Sequence, residues 1–183
     1  MILHTIASAV ARRTMKRDPD FIVGGKDNPY FLRWYVLGSK PHPTESRRTP
    51  RTLLGLMRPY VHEFRRSDDD RALHDHPAAS ISIGLWGRAV EHTIAAGGVN
   101  KRRELRAGGI RYRSARFAHR IEIAPGETYG TLFIFFRNIR EWGFHCPSGW
   151  VHWKQFVASS DPGAVGAGCG ESSGVPAATQ TTA

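Results

Sequence analysis

Apolar residues along the first 157 positions recur mainly with the two-residue period of β-strands. The run over residues 59–65 alternates clearly, with Tyr60, His62 and Phe64 on one side. Because successive side chains of a strand point to opposite faces, this pattern predicts a strand with one face turned to a core. Similar short runs recur at intervals marked by glycine-rich turns. They predict an all-β sandwich or barrel rather than alternating strands and helices.

The two ends of the chain have a different character. Ile2, Ile6 and Val10 recur at four-residue spacing, which predicts a short N-terminal helix within residues 1–20. From residue 158 the chain is dominated by Ser, Gly, Ala, Pro and Thr, which predicts a disordered tail over 158–183. The β-domain should therefore cover residues 21–157. Within it, Gly87 should form a turn between two strands.

The charge and the cysteines restrict the class of protein. The 183 residues include 26 Lys and Arg against 16 Asp and Glu, a net charge of +10. Such a balance favours anionic partners, either small anions or nucleic acid. No run approaches the roughly 20 apolar residues of a transmembrane helix, so we expect no membrane partner. Cys146 and Cys169 lack CxxC spacing, and a bond from a core to a disordered tail would stabilise little; both features predict reduced cysteines and a cytoplasmic setting.

Two histidines separated by one residue carry the strongest chemical signal. On an extended strand, His74 and His76 point to the same side. Imidazole nitrogens are ligands of divalent first-row metals, and His119, on the apolar face of another predicted strand, is the best candidate for a third ligand. Asp75 should point the other way, as a surface acid or as a partner of a ligand. The alternative is that the histidines are packed in the core without a metal.

The spacing of these residues resembles the cupin superfamily, whose fold is a double-stranded β-helix, or jelly-roll barrel. In the first cupin motif, HxH is followed by three or four residues, a glutamate, six residues and a glycine. Here Ser80 stands in the place of the glutamate and Gly87 in that of the glycine, while the glycine that opens the motif is absent. In the second motif a histidine follows a glycine by eleven positions, as His119 follows Gly108. The resemblance covers roughly residues 58–137 and implies a cupin-type barrel with a metal site.

The resemblance also implies a ligand set. It places His74, His76 and His119 on the metal. Because Ser80 replaces the usual glutamate, the set is similar to that of the thiol dioxygenases, in which three histidines hold Fe(II). Fe(II) is therefore the expected metal, with zinc, nickel and manganese as alternatives. Glu91, on the following strand, is a candidate for a carboxylate ligand.

Three further residues are candidates for binding substrate. Arg116 lies close to His119 in the chain, and a guanidinium can hold a carboxylate or phosphate through two hydrogen bonds. His62 has the parity to line the barrel, and Ser80 occupies a position next to the metal in the resembling motif. The neighbouring arginines are expected mostly to face solvent: Arg111, Arg113 and Arg120.

The leading hypothesis for function is a metal-dependent, oxygenase-type enzyme that acts on a small anionic substrate. A second hypothesis is a metal-free enzyme that resembles sugar-nucleotide epimerases, with a histidine as general base. A third is a non-enzymatic module that binds anions or nucleic acid through residues 10–17 and 101–103, although no nucleic-acid motif supports it. The resemblance implies a homodimer as the default assembly.

Overall fold

The computed structural model describes residues 2–24, 26–41, 48–68, 72–158 and 165–170. The helices and strands are, in chain order, α1 (Ile2–Thr14), β1 (Phe21–Val23), β2 (Phe31–Tyr35), β3 (Ser39–Pro41), β4 (Arg48–Pro50), β5 (Arg58–Phe64), β6 (Leu73–His74), β7 (Ser80–Ile94), β8 (Asn100–Arg106), β9 (Ile110–Arg113), β10 (Arg120–Glu122), β11 (Tyr129–Phe135), β12 (Gly143–Cys146), β13 (Gly149–His152) and α2 (Trp153–Phe156). No helix in these ranges has the length and apolar character that a membrane span requires.

One eight-stranded sheet forms most of the domain. Its strands pair in the order β1-β2-β5-β11-β7-β10, and β8 and β9 also pair with β7. A three-stranded sheet, β13-β12-β6, meets it where His74 pairs with His119. The strand pairings of the described residues are all antiparallel. The predicted all-β jelly-roll class with a short N-terminal helix is thus confirmed.

The helix α1 packs on the outer face of the large sheet. Ala7 and Ala11 are buried there, in an apolar cluster with Leu32, Trp34 and other residues of the sheet. Small side chains allow a helix to lie close to a sheet, which explains why the alanines rather than the larger residues form the contact. The predicted apolar face is only partly correct, because Ile2 and Ile6 remain exposed.

The strand β7 runs without interruption through Gly87, where the sequence predicted a turn. Gly87 has a φ of +68°, a left-handed conformation that costs little only for glycine. A Cβ atom at this position would also collide with the backbone of Thr128. The glycine therefore bends one long strand instead of separating two short ones.

A β-bulge in β7 decides which of its side chains face the interior. Gly130 of β11 pairs with Trp86, but the next residue pairs with Gly84, so that Leu85 is left without a partner. An extra residue in one strand reverses the parity of all residues that follow it. As a result, Ser82 before the bulge and Glu91 after it both face the interior.

The two cysteines form a disulfide, contrary to the prediction that they are reduced. The Cα atoms of Cys146 and Cys169 lie 5.4 Å apart. Residues 165–170 also pack on the domain, where two of their backbone amides donate to the carbonyl of Phe156 at 2.8 and 3.1 Å. These bonds and the cross-link offset the entropy lost when the segment is held, so this part of the predicted disordered tail is ordered. Residues 159–164 and 171–183 of that tail lie outside the described residues, and the cytoplasmic setting stays a prediction.

Candidate metal centre

Backbone hydrogen bonds bring the three histidines together where the two sheets meet. The amides of His74 and His119 each donate to the carbonyl of the other at 2.9 Å. The amide of His76 donates to the carbonyl of Ala115 at 3.1 Å. Main-chain pairing therefore fixes the position of each histidine independently of its side chain.

The three imidazole rings form a nearly equilateral triangle. Their centroids are separated by 5.1 Å for His74 and His76, 5.0 Å for His74 and His119, and 5.2 Å for His76 and His119. One nitrogen from each ring lies within 4.8 Å of the others. The Nε2 atoms of His76 and His119 are 2.9 Å apart, which is about the separation of two ligands at right angles on a metal ~2.0–2.1 Å away. The cluster thus fits one mononuclear first-row metal ion.

Burial favours the neutral form of two of these rings, those of His76 and His119. Burial lowers the pKa of His76 well below its usual range, and the neighbouring His74, His119 and Arg113 lower it further. Burial also lowers the pKa of His119 to about 4, although its hydrogen bond to Glu91 acts in the opposite direction. Neutral imidazole, with a free lone pair, is the form that binds metals.

Glu91 lies behind His119 rather than among the clustered histidine nitrogens. Its Oε1 accepts hydrogen bonds from Nδ1 of His119 at 2.8 Å and from Nε of Arg113 at 2.6 Å. A bond from Nδ1–H fixes the tautomer and leaves the Nε2 lone pair facing His76. Burial alone would raise the pKa of Glu91, but the hydrogen bond from His119 and the charge of Arg113 outweigh it and lower that pKa to about 2.

Arg113 is buried, contrary to the expectation that it faces solvent. Its side chain is 5% exposed, and its Nη1 donates to the hydroxyl of Ser82 at 2.8 Å. The pairing of β9 with the first half of β7 turns Arg113 inward. The carboxylate of Glu91 then balances its charge, which is what allows a guanidinium to be buried.

Two of the three predicted substrate-binding residues are buried, and the third is exposed. Ser80 is 1% exposed and its hydroxyl has no hydrogen-bond partner in the described residues. His62 is 4% exposed and its Nε2 accepts a hydrogen bond from Nε of Arg33 at 2.9 Å. Burial and the charge of Arg33 lower the pKa of His62 well below its usual range. Arg116 is exposed to solvent.

Arg33 is a residue that the sequence analysis did not single out. In β2, Leu32 and Trp34 are buried against the outer helix, so the alternate residues Phe31, Arg33 and Tyr35 face the interior. This alternation is visible in the sequence. The sequence does not show, however, which face of β2 carries the site. The pairing of β2 with β5 shows this.

Asp75, between the two histidines of the HxH run, is a buried residue and not a surface acid. It is 1% exposed, and its Oδ1 accepts from the backbone amide of Gly143 at 3.0 Å. Its Oδ2 lies 2.8 Å from Nη1 of Arg140 and 3.2 Å from both Nε2 of His145 and Nε1 of Trp150. The carboxylate therefore anchors the histidine segment to β12 and β13 from the side opposite the cluster.

The basic surfaces that could meet nucleic acid are partly neutralised. Ion pairs involve several of their arginines: Arg17 with Asp20, Arg102 with Glu122, and Arg106 with Glu104. The net charge of these surfaces is therefore smaller than the count of arginines indicates.

Comparisons with known proteins give similarity of fold only. No protein-family model and no curated protein matches the chain. Among solved structures, oxalate decarboxylase of Bacillus subtilis, which has Mn(II) centres, shares 15% identity over 72% of this chain and 31% of its own, with a TM-score of 0.46. A structure from work on DMSP lyases shares 20% identity over 62% of this chain and 51% of its own, with a TM-score of 0.41. The Fe(II) form of HppE shares 17% identity over 63% and 55%, with a TM-score of 0.43.

The chain spans about a third of the length of the decarboxylase it matches. The chemistry proposed for this chain therefore rests on its own side chains.

Proposed function

We propose that this chain is a metal-dependent enzyme of the cupin type that acts on a small anionic molecule. In this proposal His74, His76 and His119 hold one divalent first-row metal ion, with Fe(II) as the first choice. The observation that carries the proposal is the convergence of three imidazoles, with their nitrogens within 4.8 Å of one another. Glu91, bonded to the far side of His119, supports it because metal-binding histidines commonly donate their second N–H to a carboxylate.

Three protein ligands leave coordination positions for substrate and water. When bound, the metal would supply Lewis acidity or, as iron, access to dioxygen chemistry. The chain itself would orient the ligands through Glu91 and line the interior with aromatic rings that exclude water. The hydroxyl of Ser80, buried and without a partner among the described residues, is available to the substrate. Oxidation of the substrate is the reaction class that we favour.

The metal-free alternative receives less support from the geometry. It would use a histidine as a general base, and His119 with its carboxylate partner is the obvious candidate. A general base works best when its pKa is near the working pH, whereas burial holds the pKa of His119 at about 4. A second and a third imidazole beside it would also have no role.

Metal analysis tests the proposed site directly. The protein would be purified without a metal-affinity tag, loaded anaerobically with Fe(II), and compared with a His74→Ala/His76→Ala variant. A His152→Ala variant serves as the control, because that ring bonds Glu141 outside the cluster. We expect about one equivalent of metal in the parent and the control and almost none in the double variant. A parent that holds no metal after loading would refute the proposal.

Dioxygen uptake tests the reaction class separately. The iron-loaded protein and the zinc-loaded protein would be mixed with short-chain carboxylates while dissolved oxygen is recorded. Uptake that needs both iron and a carboxylate supports oxidation. Metal bound at one equivalent without any uptake would preserve the site and contradict the oxygenase assignment.

A further inference from the structure

Arg33 occupies an unusual position inside the barrel. Its Nε donates to Nε2 of His62 at 2.9 Å, across the pairing of β2 with β5. Its guanidinium lies over the rings of Tyr60 and Phe31, with its carbon 4.9 and 5.1 Å from their centroids. The bond to a neutral imidazole and the two rings hold the group in place, but none of them carries a negative charge.

No carboxylate of the described residues pairs with this guanidinium. The terminal nitrogens of Arg33 form no hydrogen bond within that part of the chain. Arg58 lies near enough to disfavour the charge of Arg33 further, and within the described residues its guanidinium donates to neutral acceptors, the carbonyl of Phe136 and the amide oxygen of Asn138. Arg33 is half-buried, and a cation that is partly removed from water normally has an anionic partner.

The interior between Arg33 and the histidines is lined by aromatic rings and two free hydroxyls. The ring contacts run from His62 to Phe133 at 5.0 Å, from there to Phe135 at 5.7 Å, and on to His76 at 6.3 Å. These rings therefore form a continuous line of contacts from His62, which holds Arg33, to His76.

The two hydroxyls are those of Ser80 and Thr131, on neighbouring strands. Both are buried and have no hydrogen-bond partner in the described residues. Thr131 pairs in register with His62, the residue that holds Arg33. Unsatisfied buried hydroxyls in a native fold call for an explanation, and a bound polar ligand is one.

We propose that Arg33 binds the carboxylate of a small substrate whose apolar part lies among these rings and whose other end faces the three histidines. The inference rests on the proposed function, since it takes the histidine cluster as the reacting end. Because Nε is already bonded to His62, the two terminal nitrogens remain, and their side-by-side arrangement matches the two oxygens of a carboxylate. A phosphate dianion, with its larger hydration shell, would lose more on entering an interior lined by aromatic rings.

Propionate and its neutral isostere propionamide are suitable probes. The concentration dependence of the thermal unfolding midpoint gives an apparent Kd for each, on metal-loaded and metal-free protein. Arg33→Met removes the charge at similar length, and Arg33→Lys keeps the charge without the paired nitrogens. The structure exposes Arg116 to solvent, away from the interior proposed here for the substrate, so Arg116→Met is the matched control that removes the same charge.

We expect the parent to prefer propionate over propionamide and Arg33→Met to bind propionate about 10- to 100-fold more weakly. Arg33→Lys should fall between the two, and it keeps the test valid if Arg33→Met does not fold. Arg116→Met should bind as the parent does. The inference is overturned if Arg33→Met binds propionate like the parent, if Arg116→Met loses as much, if the parent does not distinguish the two probes, or if inorganic phosphate binds more tightly than propionate.

Metal-free protein separates this inference from the proposed function. Preference for propionate without any metal binding would support the Arg33 site and refute the metal centre. One equivalent of metal without preference for propionate would support the metal centre and overturn the Arg33 site.

Discussion

Replacement of Glu91 by glutamine tests whether the carboxylate behind His119 organises the candidate metal centre. Glutamine has the same shape, but it lacks the charge and offers an NH2 group in place of one oxygen. Its amide oxygen can still accept from both His119 and Arg113, as Oε1 of the carboxylate does, but it carries no charge. Glu91→Gln therefore leaves Arg113 as a buried cation without a counterion.

The burial of Glu91 and Arg113 determines how much stability Glu91→Gln is expected to lose. The side chains of Glu91 and Arg113 are only 2% and 5% exposed, so solvent screens their interaction little. Removal of one partner from a buried pair typically costs about 3–5 kcal/mol, and glutamine should fall near the lower end because it keeps one acceptor. Loss of a partner that orients a ligating histidine typically weakens metal binding about 10- to 100-fold.

Urea unfolding of the metal-free protein measures the loss of stability, and competition with a chelator measures the loss of metal affinity. Glu122→Gln is the control, because Glu122 also accepts from a histidine, His92, at 2.7 Å but is 37% exposed and lies outside the cluster. It should cost less than about 1 kcal/mol and leave metal affinity unchanged. A double variant with Arg113→Met should lose less stability than the two single variants together, since no unpaired charge remains.

Unchanged metal affinity in Glu91→Gln would refute the reasoning about His119. Loss of affinity in Glu122→Gln of the same size would show that the effect is not specific to the centre. Strict additivity of Glu91→Gln and Arg113→Met would contradict a direct interaction of the two residues in solution.

Three further predictions follow from the packing. The metal-free protein should lose stability as pH falls from about 6.5, because histidines of the unfolded chain take up protons there while buried ones such as His119, with a pKa of about 4, stay neutral. The free energy of unfolding should fall by about 1.4 kcal/mol per pH unit for each such group, and a value from urea unfolding that stays constant between pH 7 and 5 would contradict the prediction. Asp75→Asn should destabilise the fold by about 3 kcal/mol, since it leaves Arg140 without its carboxylate, and unfolding like the parent would show that this pair contributes nothing. Gly130→Ala should cost about 1–3 kcal/mol because its methyl group would overlap the ring of Trp86, and an unchanged tryptophan emission spectrum with parent-like unfolding would exclude that overlap.

Local patterns in the sequence are sufficient for the fold class and for the core of the candidate site. The two-residue period places His74 and His76 on one side of an extended segment, whatever surrounds them. The spacing from Gly108 to His119, together with the resemblance to cupins, indicates the third member of the cluster. Alternation in the run of β5 predicts a strand because burial of one face follows directly from its geometry.

The surroundings of the cluster depended on contacts between distant parts of the chain. The inward position of Glu91 follows from the bulge opposite Gly130, which no periodicity in β7 reveals. The sequence does not distinguish Arg113 and Arg33 from the other arginines, because their inward orientation results from strand pairing. From the sequence, Asp75 could be a surface acid or a buried partner of a neighbouring group. Only the approach of β12 and β13 shows that it is buried.

The disulfide, too, depends on contacts between distant parts of the chain rather than on local sequence patterns. Composition predicts that residues after 158 cannot form a core of their own, and it says nothing about whether a segment can be held by an existing one. The position of Cys146 on β12, beside the place where residues 165–170 pack, is a property of the folded domain. Periodicity therefore determined which side chains share a face, while pairing, bulges and cross-links determined what each face meets, because those depend on residues far apart in the chain.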